Sequence, residues 1–182
     1  LGVCLDQIAN GAAKLRYSSG GRTPVPITVR IPAYGGGTFG SGATHSQSLE
    51  AWLMHIPGLK VVYPSSPADA KGLLATCIED EDPCIFVESR AISTTRGSVP
   101  TDPSFRVPLG RASVRREGTD VSVIAYGKAV LDALAAATEL ELEGISLEVL
   151  DLRSLVPLDT EAILASVAKT RRAVVVHLAG EF

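Results

Sequence analysis

Apolar residues recur along this chain in two alternating rhythms, short continuous runs and stripes spaced three and four residues apart. Leu5, Ile8, Ala12 and Leu15 keep helical spacing, which predicts an amphipathic helix over residues 4–18, ended by Ser18-Ser19-Gly20-Gly21. The β-branched run over 26–31 predicts a short strand closed by Pro32. After a loop with five glycines, a helix is predicted over 46–55, stopped by Pro57-Gly58. Leu59-Lys60-Val61-Val62-Tyr63 then reads as a buried strand. Ser66 suits an N-cap, Pro67 the first helical position and Asp69 the first turn. Ala70, Leu73, Leu74, Cys77 and Ile78 follow as a core-facing stripe, broken at Pro83. Cys84-Ile85-Phe86-Val87 reads as another buried strand, with Glu88 at its carboxyl end.

From about 89 to 118 the texture turns polar and carries Pro100, Pro103 and Pro108, with one short strand expected near 112–114. Beyond it the alternation resumes. Strands are predicted at 121–125, 147–150 and 173–176, with a helix through Val130, Leu131, Leu134 and Ala135 and another capped by Asp159. Strand and helix in strict alternation imply parallel sheets, so the expected fold class is α/β with a second parallel sheet after the proline-bearing linker. The expected division is 1–105, a linker over 106–118, and 119–182.

At 182 residues, 46% hydrophobic and 20% charged, the chain is long enough for one domain or two small ones. A net charge of −3, and a single basic pair, Arg115-Arg116, followed at once by Glu117, argue against nucleic acid as a partner. No apolar run approaches a membrane span and no secretory leader pattern opens the chain, so a soluble intracellular protein is expected. Cys4, Cys77 and Cys84 are odd in number, lack metal-ligand spacing and sit in apolar surroundings, which reads as buried free thiols. The first residue, Leu1, enters helical periodicity directly, as expected of part of a longer polypeptide.

The candidate chemistry lies in the stretch from Arg30 to Trp52, where a strand passes through the glycine loop into a helix. Open α/β sheets place their ligand sites at such strand ends. His45 stands at the far end of this loop. Thr44-His45-Ser46-Gln47 fits a capping box, which would hold His45 in the first helical turn. A histidine exchanges protons near neutral pH and suits general acid–base work. Against that, glycine loops are often plain connections, and a lone histidine at a helix start more often caps or faces solvent.

Several stretches together resemble one family. His45-Ser46-Gln47-Ser48-Leu49-Glu50-Ala51-Trp52, His55-Ile56-Pro57-Gly58-Leu59-Lys60-Val61-Val62, Asp69-Ala70-Lys71-Gly72-Leu73-Leu74, Val107-Pro108-Leu109-Gly110 and Asp151-Leu152-Arg153-Ser154-Leu155-Val156-Pro157-Leu158-Asp159 look like the beta subunit of the decarboxylating component of 2-oxoacid dehydrogenases. The resemblance runs nearly end to end. It implies a parallel-sheet pyrimidine-binding domain, similar to the central domain of transketolase, over 1–105 with its N-terminal part missing. A transketolase C-terminal-like α/β domain over 119–182 would follow, with its C-terminal part missing.

The resemblance further implies oxidative decarboxylation of a 2-oxoacid, of the pyruvate, branched-chain or acetoin type, with acyl transfer to lipoamide. Thiamine diphosphate would be shared with an alpha subunit, which would hold the diphosphate and Mg²⁺, in an alpha-two beta-two heterotetramer. A lipoyl-bearing acyltransferase would take the product. The location would be bacterial cytoplasm or, in a eukaryote, the mitochondrial matrix. His45 matches the family's active-site histidine, which handles protons during acyl transfer; His55 and His177 receive no chemical role. A monovalent cation site, usually K⁺, is implied at Ile27, Thr28, Cys77, Asp80 and Asp82. The family's cofactor-activating glutamate lies upstream of this sequence, as does the aromatic residue that stacks on the pyrimidine. Glu50, which follows the histidine, is not read as a substitute. The rival expectations are a single-chain transketolase or deoxyxylulose-phosphate synthase-like enzyme, and a non-catalytic assembly subunit.

Overall fold

The continuous apolar runs form the inner strands of two four-stranded sheets. In this computed structural model, which describes residues 2–35 and 42–179, the first half contributes β1 (Thr28–Ala33), β2 (Lys60–Val62) and β3 (Cys84–Ser89). The second half contributes β4 (Ser113–Arg116), β5 (Val121–Ala125), β6 (Leu147–Asp151), β7 (Ser154–Val156) and β8 (Ala173–Val176). Helix α1 (Ala13–Ser18) precedes β1, and α2 (Glu50–Met54), α3 (Pro67–Glu79), α4 (Lys128–Glu141) and α5 (Thr160–Thr170) lie between strands. The middle of the glycine loop, residues 36–41, falls outside the described residues.

The first sheet has the order β1-β3-β2-β7 and the second β4-β6-β5-β8. Pairings among β1, β3 and β2, and among β6, β5 and β8, are parallel; β7 runs antiparallel to β2 and β4 antiparallel to β6. The second sheet is therefore mixed rather than wholly parallel. In the central strands β3 and β6 the burial is nearly unbroken, as expected for parallel strands covered on both faces. Pro32 lies inside β1 instead of closing it, because β1 is an edge strand, where a missing N–H costs no ladder bond.

The first helix departs from the expected straight stripe. A π-helical stretch, Gln7–Ala12, precedes α1, and the two fully buried positions, Ile8 and Ala13, are five apart rather than three or four. Leu15, part of the expected stripe, is consequently 44% exposed. Gly58 packs under this helix with φ at +101°, and a methyl group there would stand 2.0 Å from the Ala13 carbonyl oxygen. Gly58→Ala is expected to cost about 2–4 kcal/mol, since backbone strain and overpacking act together. A lower denaturation midpoint with an unchanged slope is the measurable result.

One strand was not anticipated. After β6 the chain turns at Arg153, φ +56°, and Ser154–Val156 leaves the second sheet to pair with β2 of the first. Three residues closed by a proline carry no readable alternation, so the pattern hid it. Val107 is buried against Val62, Leu73 and Cys77, and Leu150, Leu152 and Leu155 pack with Val61, Tyr63 and Ile85. The core thus runs without a break from one sheet to the other.

A polar network fastens the same junction. Asp151, fully buried, accepts from the Ser65 hydroxyl and from the Arg153 backbone N–H at 3.1 Å, and Arg115 Nη1 approaches it at 3.4 Å. Asp69 accepts from Arg153 Nη1 at 3.2 Å and also serves the α3 cap, where Ser66 Oγ accepts from the Asp69 N–H at 3.1 Å. Burial, and secondarily the nearby Asp69 charge, push the Asp151 carboxyl up to about 6.

Candidate functional site

The strand ends and the glycine loop set the geometry around His45. The expected helix over 46–55 is shorter, starting only at Glu50, and the capping box is not formed. Gly42, at φ +75°, instead presents its carbonyl to the N–H groups of both His45, 3.2 Å, and Ser46, 3.1 Å. The Ser46 N–H is taken by the Gly42 carbonyl, and serine has only a weak helix preference, in keeping with the late start. His45 therefore sits in an exposed turn ahead of α2, at the carboxyl side of the first sheet. The two limbs of the loop meet below it, for a methyl on Gly35 would come 2.6 Å from Ser48 Oγ.

A cleft of about 380 Å³ opens at the carboxyl ends of β2 and β3, lined by Ser66, Phe86, Glu88 and Arg90 among others. Arg30 of β1 reaches across it to Glu88, at 2.6 and 2.9 Å, and the Arg90 guanidinium stands 5.9 Å from the Tyr34 ring centre. These contacts leave a mixed-charge rim rather than a strongly cationic one.

Beneath the turn lies a buried group of oxygens. Glu50 is 2% exposed, and its Oε1 accepts from Tyr126 Oη at 3.0 Å. Tyr126 in turn packs against Tyr63, ring centres 5.3 Å apart, and stacks on His177 at 6.3 Å. Burial first, then the Glu50 charge, raise both tyrosines, so each stays a neutral hydroxyl at physiological pH. Sequence reasoning set Glu50 aside; a glutamate between Leu49 and Ala51, facing a core, was the available signal.

The residues expected to hold a monovalent cation also come together. Thr28 pairs with Cys84, the Ile27 carbonyl accepts from the Cys84 N–H at 2.9 Å, and Cys77 and Asp80 share the end of α3. The acidic side chains already have cationic partners. Lys60 Nζ lies 2.7 Å from Asp80 and 3.2 Å from Asp82, and Arg16 lies 2.8 Å from Asp82. Burial opposes the Asp82 charge, but the Arg16 and Lys60 hydrogen bonds outweigh it and hold the carboxyl low. An added cation would therefore have to rely on the carbonyls. Thr28 Oγ1, buried and without a hydrogen-bond partner among the described residues, adds one oxygen nearby. Among the described residues no three His, Cys, Asp or Glu side chains are grouped to hold a metal ion. No described helix is long and apolar enough to cross a membrane. His55, at the end of α2, and His177 are both exposed. Cys77 and Cys84 are buried free thiols, whereas Cys4 is exposed, contrary to its apolar setting in sequence.

Comparison with known proteins places this geometry. The transketolase pyrimidine-binding domain matches residues 6–96 and the transketolase C-terminal domain residues 110–181. The chain belongs to the transketolase family. Among its relatives are beta subunits. The beta subunit of acetoin:2,6-dichlorophenolindophenol oxidoreductase from Bacillus subtilis is 51% identical over 97% of this chain and 51% of its own length. From the same organism, the pyruvate dehydrogenase E1 component subunit beta is 48% identical over 95% of the chain and 53% of its own length. The 2-oxoisovalerate dehydrogenase subunit beta is 49% identical, over 94% and 52%. This transketolase-family chain spans about half the length of these relatives. In structure it is similar to a split-gene transketolase, described as an inactive beta4 tetramer, with TM-score 0.76 and 28% identity over 96% of this chain and 53% of that one.

Proposed function

We propose that this chain is part of the beta subunit of a thiamine-diphosphate-dependent dehydrogenase of the pyruvate, branched-chain 2-oxoacid or acetoin type. The observation that carries the reading is identity of 48–51% with three such beta subunits over nearly all of the chain. In this reading an alpha subunit completes the enzyme as an alpha-two beta-two assembly, and a lipoyl-bearing acyltransferase accepts the product. The protein divides at the linker over 106–118, and it acts in the bacterial cytoplasm or the mitochondrial matrix according to its host.

When bound, thiamine diphosphate supplies the carbanion chemistry of decarboxylation. The chain's own contribution is narrower. His45, exposed at the carboxyl side of the first sheet, can give a proton to the sulfur released when the lipoyl disulfide opens and its other sulfur takes the acyl group. The first sheet and the cleft beside Glu88 provide the wall against which a partner's cofactor ring is held. In this reading the diphosphate and Mg²⁺ would be held by the alpha subunit, and no step here runs through the metal.

Native mass spectrometry of the full-length protein from its source, with magnesium and thiamine diphosphate, tests the reading. A second, different subunit with bound cofactor is expected. A cofactor-loaded homodimer would replace it with a single-chain transketolase, and a cofactor-free species with an assembly role.

Potassium at the carbonyls of Ile27, Thr28, Cys77 and Asp80, together with Asp82, is part of the same proposal. At a potassium concentration a hundredfold above its dissociation constant the stabilisation is expected to be about 2.7 kcal/mol. Equal thermal midpoints in potassium and sodium salts would remove the site.

A further inference from the structure

The segment that carries His45 is tied down at one end by an unusual contact. Glu50, five residues after the histidine, is the first residue of α2 and is buried, yet it makes no capping bond within its own helix. Its Oε1 accepts instead from Tyr126, at the end of β5 in the other sheet. Its Oε2 is buried with no hydrogen-bond partner among the described residues. A buried carboxylate left half satisfied is costly, and such groups persist where a specific arrangement depends on them. The donor is itself fixed, because the Tyr126 ring is packed between Tyr63 and His177. Gly127, which follows Tyr126, has φ at +57°, and a methyl there would meet the Tyr63 ring at 2.9 Å. One side chain therefore links the His45 turn to the ends of β2, β5 and β8.

We propose that Glu50 is a positioning residue for His45, acting through its hydrogen bond with Tyr126 of the second domain. The inference rests on the functional reading given above. The turn at Gly42 sets the local shape of the histidine's backbone, and the Glu50–Tyr126 bond sets where that turn sits relative to the second sheet. Without the bond the segment from 47 to 49, which lies outside helix and strand, loses its fixed end. Misplacement of a reacting group by about 1 Å is enough to cost up to a hundredfold in rate. The bond uses one oxygen as acceptor, and a glutamine carbonyl can reproduce it.

The test uses the full-length beta subunit in complex with its alpha subunit, thiamine diphosphate and magnesium. Two rates are compared, acyl transfer to a free lipoyl domain and reduction of an artificial dye acceptor. Glu50→Ala and Tyr126→Phe are each expected to lower the ratio of transfer to dye reduction about tenfold, whereas Glu50→Gln stays within roughly threefold of the parent. The Glu50→Ala, Tyr126→Phe double variant should be no worse than either alone, since both remove one bond. An unchanged ratio in Glu50→Ala, or an equal fall in Glu50→Gln, overturns the proposal, as does a parallel loss of both rates.

His45→Ala, run alongside, separates this from the functional reading. If it leaves the ratio untouched, the role assigned to His45 fails, and the anchor is judged by the His45 ring resonance in ¹³C-histidine-labelled protein. A resonance displaced in Glu50→Ala and Tyr126→Phe and restored in Glu50→Gln supports the anchor; one that does not move rejects it.

Discussion

His45→Ala in the assembled complex is expected to slow acyl transfer to the lipoyl group by about 10²–10⁴-fold, the usual worth of a positioned proton carrier. The histidine is exposed in its turn, and among the described residues its backbone hydrogen bond to Gly42 is one that alanine keeps. Folding and subunit assembly should therefore be unaffected, and thermal unfolding should show no change. Dye reduction should suffer far less than lipoyl transfer, because the proposed step comes after decarboxylation. A variant that transfers acyl groups at the parental rate would end the assignment.

The second large effect is structural. Asp151→Ala is expected to destabilise the protein by about 3–5 kcal/mol, the cost of removing one member of a buried charged group. It strips the acceptor from Ser65 and from the Arg153 backbone N–H, and leaves Arg115 Nη1 with the Ser65 hydroxyl and the Asp69 carboxylate. Asp151→Asn keeps the shape and one acceptor and should cost much less. The two variants also differ in pH dependence.

The folded carboxyl is held up at about 6, above the ordinary aspartate value near 3.9, so the folded state prefers the proton. Stability from this group is full below about pH 4 and is lost as pH rises through about 6, by roughly 3 kcal/mol at most. Asp82 and Asp159, both held low, act in the opposite direction. The deficit of Asp151→Asn relative to the parent should therefore shrink between pH 4 and 7. A constant difference across that range would show that Asp151 is ionised throughout.

Legibility followed burial and length. α3 was readable in full, because Ser66, Pro67 and Asp69 spell its start and the cap bond is made as the spelling requires. The same holds for Asp159 ahead of α5, whose side chain accepts from the Ala162 N–H. Where a tertiary contact competes with local preference, the reading failed. The capping box at Thr44 lost to a turn closed on Gly42, and α2 waits for Glu50, which is committed to Tyr126. Ile78 shows the limit of a helical stripe, since it holds the expected spacing and is still 62% exposed. Of the site, the strand-loop-helix setting and His45 were visible. The partner of Glu50 was not, because Tyr126 is distant in sequence and only the two-sheet arrangement brings it near.

The excursion of β7 into the first sheet alters what counts as a separable piece. The exposed stretch from 93 to 104 invites a protease, yet a single cut there would release nothing. The C-terminal product would still lend its strand to β2, and the two pieces would migrate together until a denaturant parted them. Expressed by itself, the N-terminal piece would present the bare side of β2 as an adhesive edge, free to recruit β-forming segments from other molecules. In this chain the connectivity of the backbone and the boundary of the folding unit do not coincide.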